Sequence, residues 1–182
     1  MSKFYFSIVV LCLSILMGCG NSNSKQNANT EVYAENYGTK VALFSEIDHT
    51  IARLTLNGIG QLSAWQSDGM GEYISITPYY QFGGGISPNN LAYYLVSENI
   101  NYIQRLQLTL NVNNNAEKKQ ALKKFSEIAD KTFECLELEI PQGLSNATKE
   151  GKEFNFENEN YIVSVVLDKS NIETYIMQIK SK

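Results

Sequence analysis

A chain of 182 residues, 43% hydrophobic and 19% charged, has the length and make-up of one globular domain with a core of its own. Its formal net charge of −4, with no basic run, excludes the electrostatic footprint of a nucleic-acid binder. The three cysteines are Cys12, Cys19 and Cys135. Two of them fall in or at the end of an apolar leader, so no pair remains for a disulfide and packing alone has to stabilise the fold.

The leader opens with a positive charge at Lys3 and continues as an apolar run of thirteen residues, Phe4 to Leu16. As a helix this run reaches about 20 Å against a hydrocarbon core of about 30 Å, the proportion of a signal segment and not of a span. It closes on Leu16-Met17-Gly18-Cys19, which resembles the lipobox of bacterial lipoproteins. Gly18 is the small residue before the cut and Leu16 the apolar residue two positions earlier, while Met17 is larger than the family usually places there. Cys12 follows bulky Leu11 and fits less well. The resemblance implies that residues 1–18 are a signal peptide and that Cys19 is the lipidation site, its thiol carrying a diacylglycerol and its new amino group often acylated. It also implies residence in the cell envelope, and in the outer membrane if the host has two, because Gly20 and not Asp follows the cysteine. Two or more acyl chains, at about 0.8 kcal/mol per buried methylene, make a lasting anchor. Taking Lys3 from the fifteen basic residues leaves fourteen against nineteen acids, net −5, so attachment relies on lipid and not on charge.

Residues 19–39 read as the lipidated cysteine and a polar tether, too poor in apolar surface to fold and about 25 Å in r.m.s. span as a coil. From Lys40 the pattern changes, and residues 40–182 are expected to form a single domain. Phe44, Ile47, Ile51 and Leu54 recur at helical spacing up to Asn57-Gly58. Ile59 to Trp65 is ambiguous, and Gln66 to Gly71 is a turn by composition. Glu72 to Phe82 alternates as one strand, with Tyr73, Ser75 and Thr77 on one side and Ile74 and Ile76 on the other, until Gly83-Gly84-Gly85 breaks it. Leu91 to Ser97 suits a strand, with a short helix as the alternative. Leu106, Leu108, Leu110 and Val112 alternate with polar residues, the mark of a sheet wet on one face. Ala116 to Leu136 is the clearest helix, and Pro141 to Lys149 a helical turn stopped by Gly151. Glu153 to Glu157, Tyr161 to Asp168 and Ile172 to Lys180 form an antiparallel meander, since their turns are too short for parallel crossovers. The expected class is α+β: a mainly antiparallel sheet with two principal helices packed on one face.

The chemistry-bearing inventory is thin. His49 is the one histidine, and no Gly-x-Ser-x-Gly elbow exists to give it a serine. One histidine and no cysteine pair leave the common zinc patterns unfilled, no glycine loop carries a phosphate-binding lysine, and no catalytic residue, metal or cofactor is assigned. Cys135 reads as a small apolar thiol on a helix. Glu134, Glu137 and Glu139, with Glu157 and Glu159, are acids of solvated faces and turns, although paired acids could hydrolyse glycosides if a fold set their spacing. The asparagine clusters Asn89-Asn90 and Asn113 to Asn115 read as compositional bias. One surface stands out: Tyr79, Tyr80 and Phe82 before the triple glycine and Tyr93 and Tyr94 after it are candidate binding residues, with about half of the rings expected to face outward. The expected function is therefore a non-enzymatic envelope binding module for a protein or glycan partner, against two alternatives: a hydrolase using acidic residues, or a structural spacer.

Overall fold

Residues 44–182 are described by the structure, a computed structural model; the expected signal peptide (1–18), the expected lipidation site Cys19 and the expected tether lie outside the described residues. Helix α1 (Ile47–Thr55) starts after a backbone break at Glu46 (φ −87°, ψ 74°). It buries Leu54 fully and lays Ile47 and Ile51 on the core beside Phe44, the stripe expected from their spacing. It ends one turn before Gly58, whose φ of +83° is one that glycine adopts without strain.

The strands in chain order are β1 (Gln66–Ser67), β2 (Tyr73–Ile76), β3 (Tyr80–Phe82), β4 (Asn89–Ser97) and β5 (Arg105–Val112), then β6 (Phe154–Glu157), β7 (Tyr161–Asp168) and β8 (Glu173–Ser181). Between β5 and β6 come a 3-10 turn (Asn115–Glu117), helix α2 (Lys118–Cys135) and helix α3 (Leu144–Glu150). The sheet runs β1-β2-β4-β5-β8-β7-β6, and β3 pairs with β4 beyond the end of β2. Every pairing is antiparallel. The fold is α+β, with the helices on one face of the sheet.

The core lies between that face and α2. Leu91, Tyr93 and Leu95 of β4, Leu106, Leu108 and Leu110 of β5, and Tyr175, Met177 and Ile179 of β8 are buried. They meet Leu122, Phe125, Ile128, Ala129 and Phe133, which recur at spacings of three and four along α2. Each such large side chain contributes about 1.5–3 kcal/mol through the apolar surface it removes from water. A directed hydroxyl chain threads this layer. Asn57 Nδ2 donates to the Tyr93 hydroxyl at 2.8 Å, Tyr93 meets Thr132 Oγ1 at 2.6 Å, and Thr132 Oγ1 donates to the Ile128 carbonyl at 2.7 Å. Because the Thr132 proton is used on Ile128, Tyr93 is the donor to Thr132. The end of α1, the centre of β4 and the second half of α2 are thereby locked together without leaving a buried hydroxyl unsatisfied.

Helix α3 is bracketed by Gly143 (φ +93°) and Gly151 (φ +65°), as the stop at Gly151 predicts. A Cβ on Gly151 would lie 2.9 Å from the Tyr175 hydroxyl and 3.1 Å from Leu122 Cδ1, so only glycine lets β6 leave the helix this close to the core. Thr148 of the sequon-like Asn146-Ala147-Thr148 is fully buried and donates within α3 or to Ser126, a structural role. Among the described residues no helix is long and apolar enough to cross a membrane.

Candidate functional site

The expected single strand from Glu72 to Phe82 is in fact two. Ile76 pairs with Tyr94, whereas Tyr80 pairs with Leu91. Three residues, Thr77 to Tyr79, therefore oppose two, Tyr93 and Ala92. The extra residue is a bulge, and Pro78 is its cause: proline has no N–H to donate to the ladder and a fixed φ. Thr77 repairs the gap by accepting the Tyr93 N–H on its Oγ1 at 2.9 Å.

The bulge resets which side each residue faces. Before it, Ser75 points into the core and Ile76 outward; after it, Tyr80 and Phe82 point inward and pack against the core. Tyr79, at the bulge, comes out on the same side as Ile76 and Tyr94, and the Tyr94 hydroxyl donates to the Tyr79 hydroxyl at 3.2 Å. The five aromatic candidates are thus divided. Tyr93 is fully buried and serves the hydroxyl chain, so it is withdrawn from any surface patch. Tyr80 lies under Lys124 of α2, whose Nζ is 5.9 Å from the ring centroid, and stacks on Phe82 at 6.0 Å. Tyr79 (56% exposed) and half-buried Tyr94 alone share the face turned away from the helices. Burial, reinforced by the bond to Tyr79, pushes the Tyr94 hydroxyl up to about 12, so this phenol is a neutral donor and acceptor at ordinary pH.

Around this pair the open face is ordered by side-chain ladders. Tyr94 pairs across strands with Gln107, and Gln107 with Gln178. Gln178 Nε2 donates to Gln107 Oε1 at 2.8 Å, and Gln107 Nε2 to Thr109 Oγ1 at 3.0 Å. One step along, Asn111 donates through Nδ2 to Asn90 Oδ1 at 2.9 Å, and its Oδ1 accepts from the Thr174 hydroxyl at 3.1 Å. A line of aromatic ring, amide, amide and hydroxyl residues results, uncharged and held in register. It presents hydrogen-bonding groups and ring faces without charge.

The asparagines read as compositional bias have specific work at the end of this face. Asn114 Nδ2 donates to the Gly84 carbonyl at 3.1 Å, Asn113 Nδ2 to the Pro88 carbonyl at 2.9 Å, and Asn89 Oδ1 accepts the Asn114 N–H at 2.9 Å. Glu117 accepts the Gly84 N–H at 3.0 Å. The glycine loop is thereby clasped, and carries Ile86 fully exposed at its tip.

A second concave feature, an open depression of about 660 Å³, is lined by Glu46, Asp48, His49, Trp65, Ile100 and Asn101 among others. His49 lies 3.2 Å from Glu46 and both are largely exposed, while Trp65 stacks on Tyr73 at 6.3 Å and donates to the Ile100 carbonyl at 3.0 Å. Sequence reasoning does not find Trp65, because its segment has no clear period. The acids that could have paired for hydrolysis are exposed, and two have cationic partners: Glu137 is engaged by Arg53 and Glu157 by Lys182. Cys135 ends α2 half-buried, its thiol pushed up first by burial and then by Glu134, which disfavours the nucleophilic thiolate. No group of three or more His, Cys, Asp or Glu among the described residues is placed to hold a metal. Neither a family model, nor a curated protein, nor a solved structure matches the chain.

Proposed function

We propose that this chain is a lipid-anchored envelope lipoprotein, attached through Cys19, whose domain is a non-enzymatic binding module for another envelope component. The sheet face that α2 and α3 leave uncovered is the surface that engages it. One observation carries the reading: Tyr79 and Tyr94, hydrogen-bonded to each other at 3.2 Å, stand on that face beside an ordered amide ladder. Tyrosines supply large contact area at little conformational cost, and held amides supply directional bonds. The lipobox resemblance supports the location, since a domain on a polar tether next to a bilayer meets envelope components before anything else.

The test is chemical crosslinking in intact cells followed by recovery of the full chain, with Tyr79→Ala beside the native protein. The substitution is chosen because the side chain is exposed and its loss leaves the core intact. A specific crosslinked product from the native chain that disappears with Tyr79→Ala supports the reading. A product unchanged by the substitution removes the open face from the account, and no specific product at all favours a spacer. Cys19 is checked on the same material by mass spectrometry: a bare or leader-linked residue 19 overturns the anchorage.

A further inference from the structure

One row of the open face differs from the rest. Strand register aligns Gln66, Ile74, Val96, Arg105, Lys180, Ile162 and Glu157 across the sheet. Arg105 and Lys180 are direct cross-strand partners, with Cα atoms about 5 Å apart, and like charges so placed destabilise a sheet. The row's one acid, Glu157, stands at its far end and is engaged by Lys182. No ion pair among the described residues neutralises Arg105 or Lys180. Arg105 goes further: its Nε is buried and has no hydrogen-bond partner, an arrangement that costs stability until an acceptor is supplied. The next row along, at a diagonal distance of about 7–8 Å, holds Ile76, Tyr94, Gln107 and Gln178. Two unneutralised cations therefore border a strip of phenol and amide groups.

We infer that the open face takes an acidic polysaccharide, one bearing carboxylates or phosphates. Its anionic group sits between Arg105 and Lys180, where the guanidinium fork donates to either oxyanion. Its sugar rings lie along Tyr94, Tyr79 and Gln107, which offer a ring face and hydrogen bonds without charge. This deepens the function proposed above and rests on the open face being the binding surface. A protein of net charge −4 repels polyanions at long range, so binding of one requires a local positive site and is not explained by overall charge.

The experiment is affinity electrophoresis of the full chain in detergent through gels containing polygalacturonate, phosphomannan or neutral dextran. The native chain is expected to be retarded by at least one of the two polyanions, less so as salt is raised, and not by dextran. Arg105→Met and Lys180→Met are each expected to weaken retention about tenfold or more. Lys131→Met, an exposed cation on α2, is expected to leave it unchanged. Lys180 is exposed, so its variant folds even if Arg105→Met does not. Equal retardation by dextran, or retention indifferent to Lys180→Met, overturns the inference. If neither polyanion is retained while Tyr79→Ala still abolishes the crosslinked product in cells, the acidic saccharide falls and the binding face stands. If that product survives Tyr79→Ala, both fall.

Discussion

The two faces of the one sheet are built from the same strands and follow different rules. On the helix side, neighbouring side chains interlock: Leu108 is fully buried, and the polar groups among the hydrocarbons, Asn57, Tyr93 and Thr132, are bonded in sequence. On the open side, one residue away along the same strand, Gln107 is half-buried and bonds sideways to Gln178. Hydrocarbon contact holds the first face and hydrogen-bond register the second. A packed face can change little without loss of the fold, whereas a laddered face tolerates exchange of side chains and is free to serve recognition. Of the five aromatic candidates, Tyr79 and Tyr94 are the two on the open side.

Adjacent substitutions on β5 separate the two faces most directly. Leu108→Ala is expected to cost about 2–5 kcal/mol in urea unfolding through the cavity it leaves. Gln107→Ala next to it is expected to cost about 1 kcal/mol or less, the net worth of a laddered hydrogen bond. Equal losses would show that the open face contributes to stability as heavily as the core does. Gly151→Ala is next: its φ of +65° and the 2.9 Å approach to the Tyr175 hydroxyl should cost about 1–3 kcal/mol, read as a lower unfolding midpoint. Tyr93→Phe keeps the ring and removes the hydroxyl, stranding the Asn57 amide in the core; a loss of about 1–3 kcal/mol is expected, against little change for Tyr79→Phe on the outside. Hydrogen exchange should locate the Tyr93→Phe effect in α1 and α2 together.

The last effect is a pH dependence. Burial raises Tyr94 from 10.0 to about 12 and raises Tyr93 further, so the folded state favours their neutral forms. A group with a raised folded value contributes stability that is complete below pH 10 and is lost as pH rises toward 12. Stability should therefore fall across that window, and Tyr94→Phe should flatten the fall. Ultraviolet absorbance titration of the native chain and the variant checks both, with a Tyr94 signal near pH 10 counting against the burial described.

Alternation is legible wherever the strand is regular. Leu106 to Val112 and the final meander lie where their periods place them, and α2 buries the stripe that its spacing predicts. Glu72 to Phe82 becomes two strands and not one because its alternation runs through Pro78, the one residue in the run that cannot donate to a ladder. That proline is the local signal for the change of side between Ile76 and Tyr80. The Asn113 and Asn114 clasp has no local signal, because its partners Gly84 and Pro88 lie some 25–30 positions away in sequence. Neither has the Arg105–Lys180 pair, which depends on β8 returning beside β5.

The amino-acid pattern was enough for the period of the longer regular elements, the antiparallel meander and the class of fold, and it carries the lipobox resemblance that motivates the envelope reading. The tertiary structure alone settled which side of β2 became interior and where the side changes before β3. Period two records that alternate residues share a face, and is silent on which face a helix will cover. Where β2 met the helix layer, polar Ser75 turned inward, its hydroxyl donating to the Ser63 carbonyl at 2.6 Å, and Ile74 and Ile76 turned out. The identity of the open face, and so of Tyr79, Tyr94, Arg105 and Lys180 as neighbours, comes from helix placement and strand order, which are properties of the whole chain packed at once.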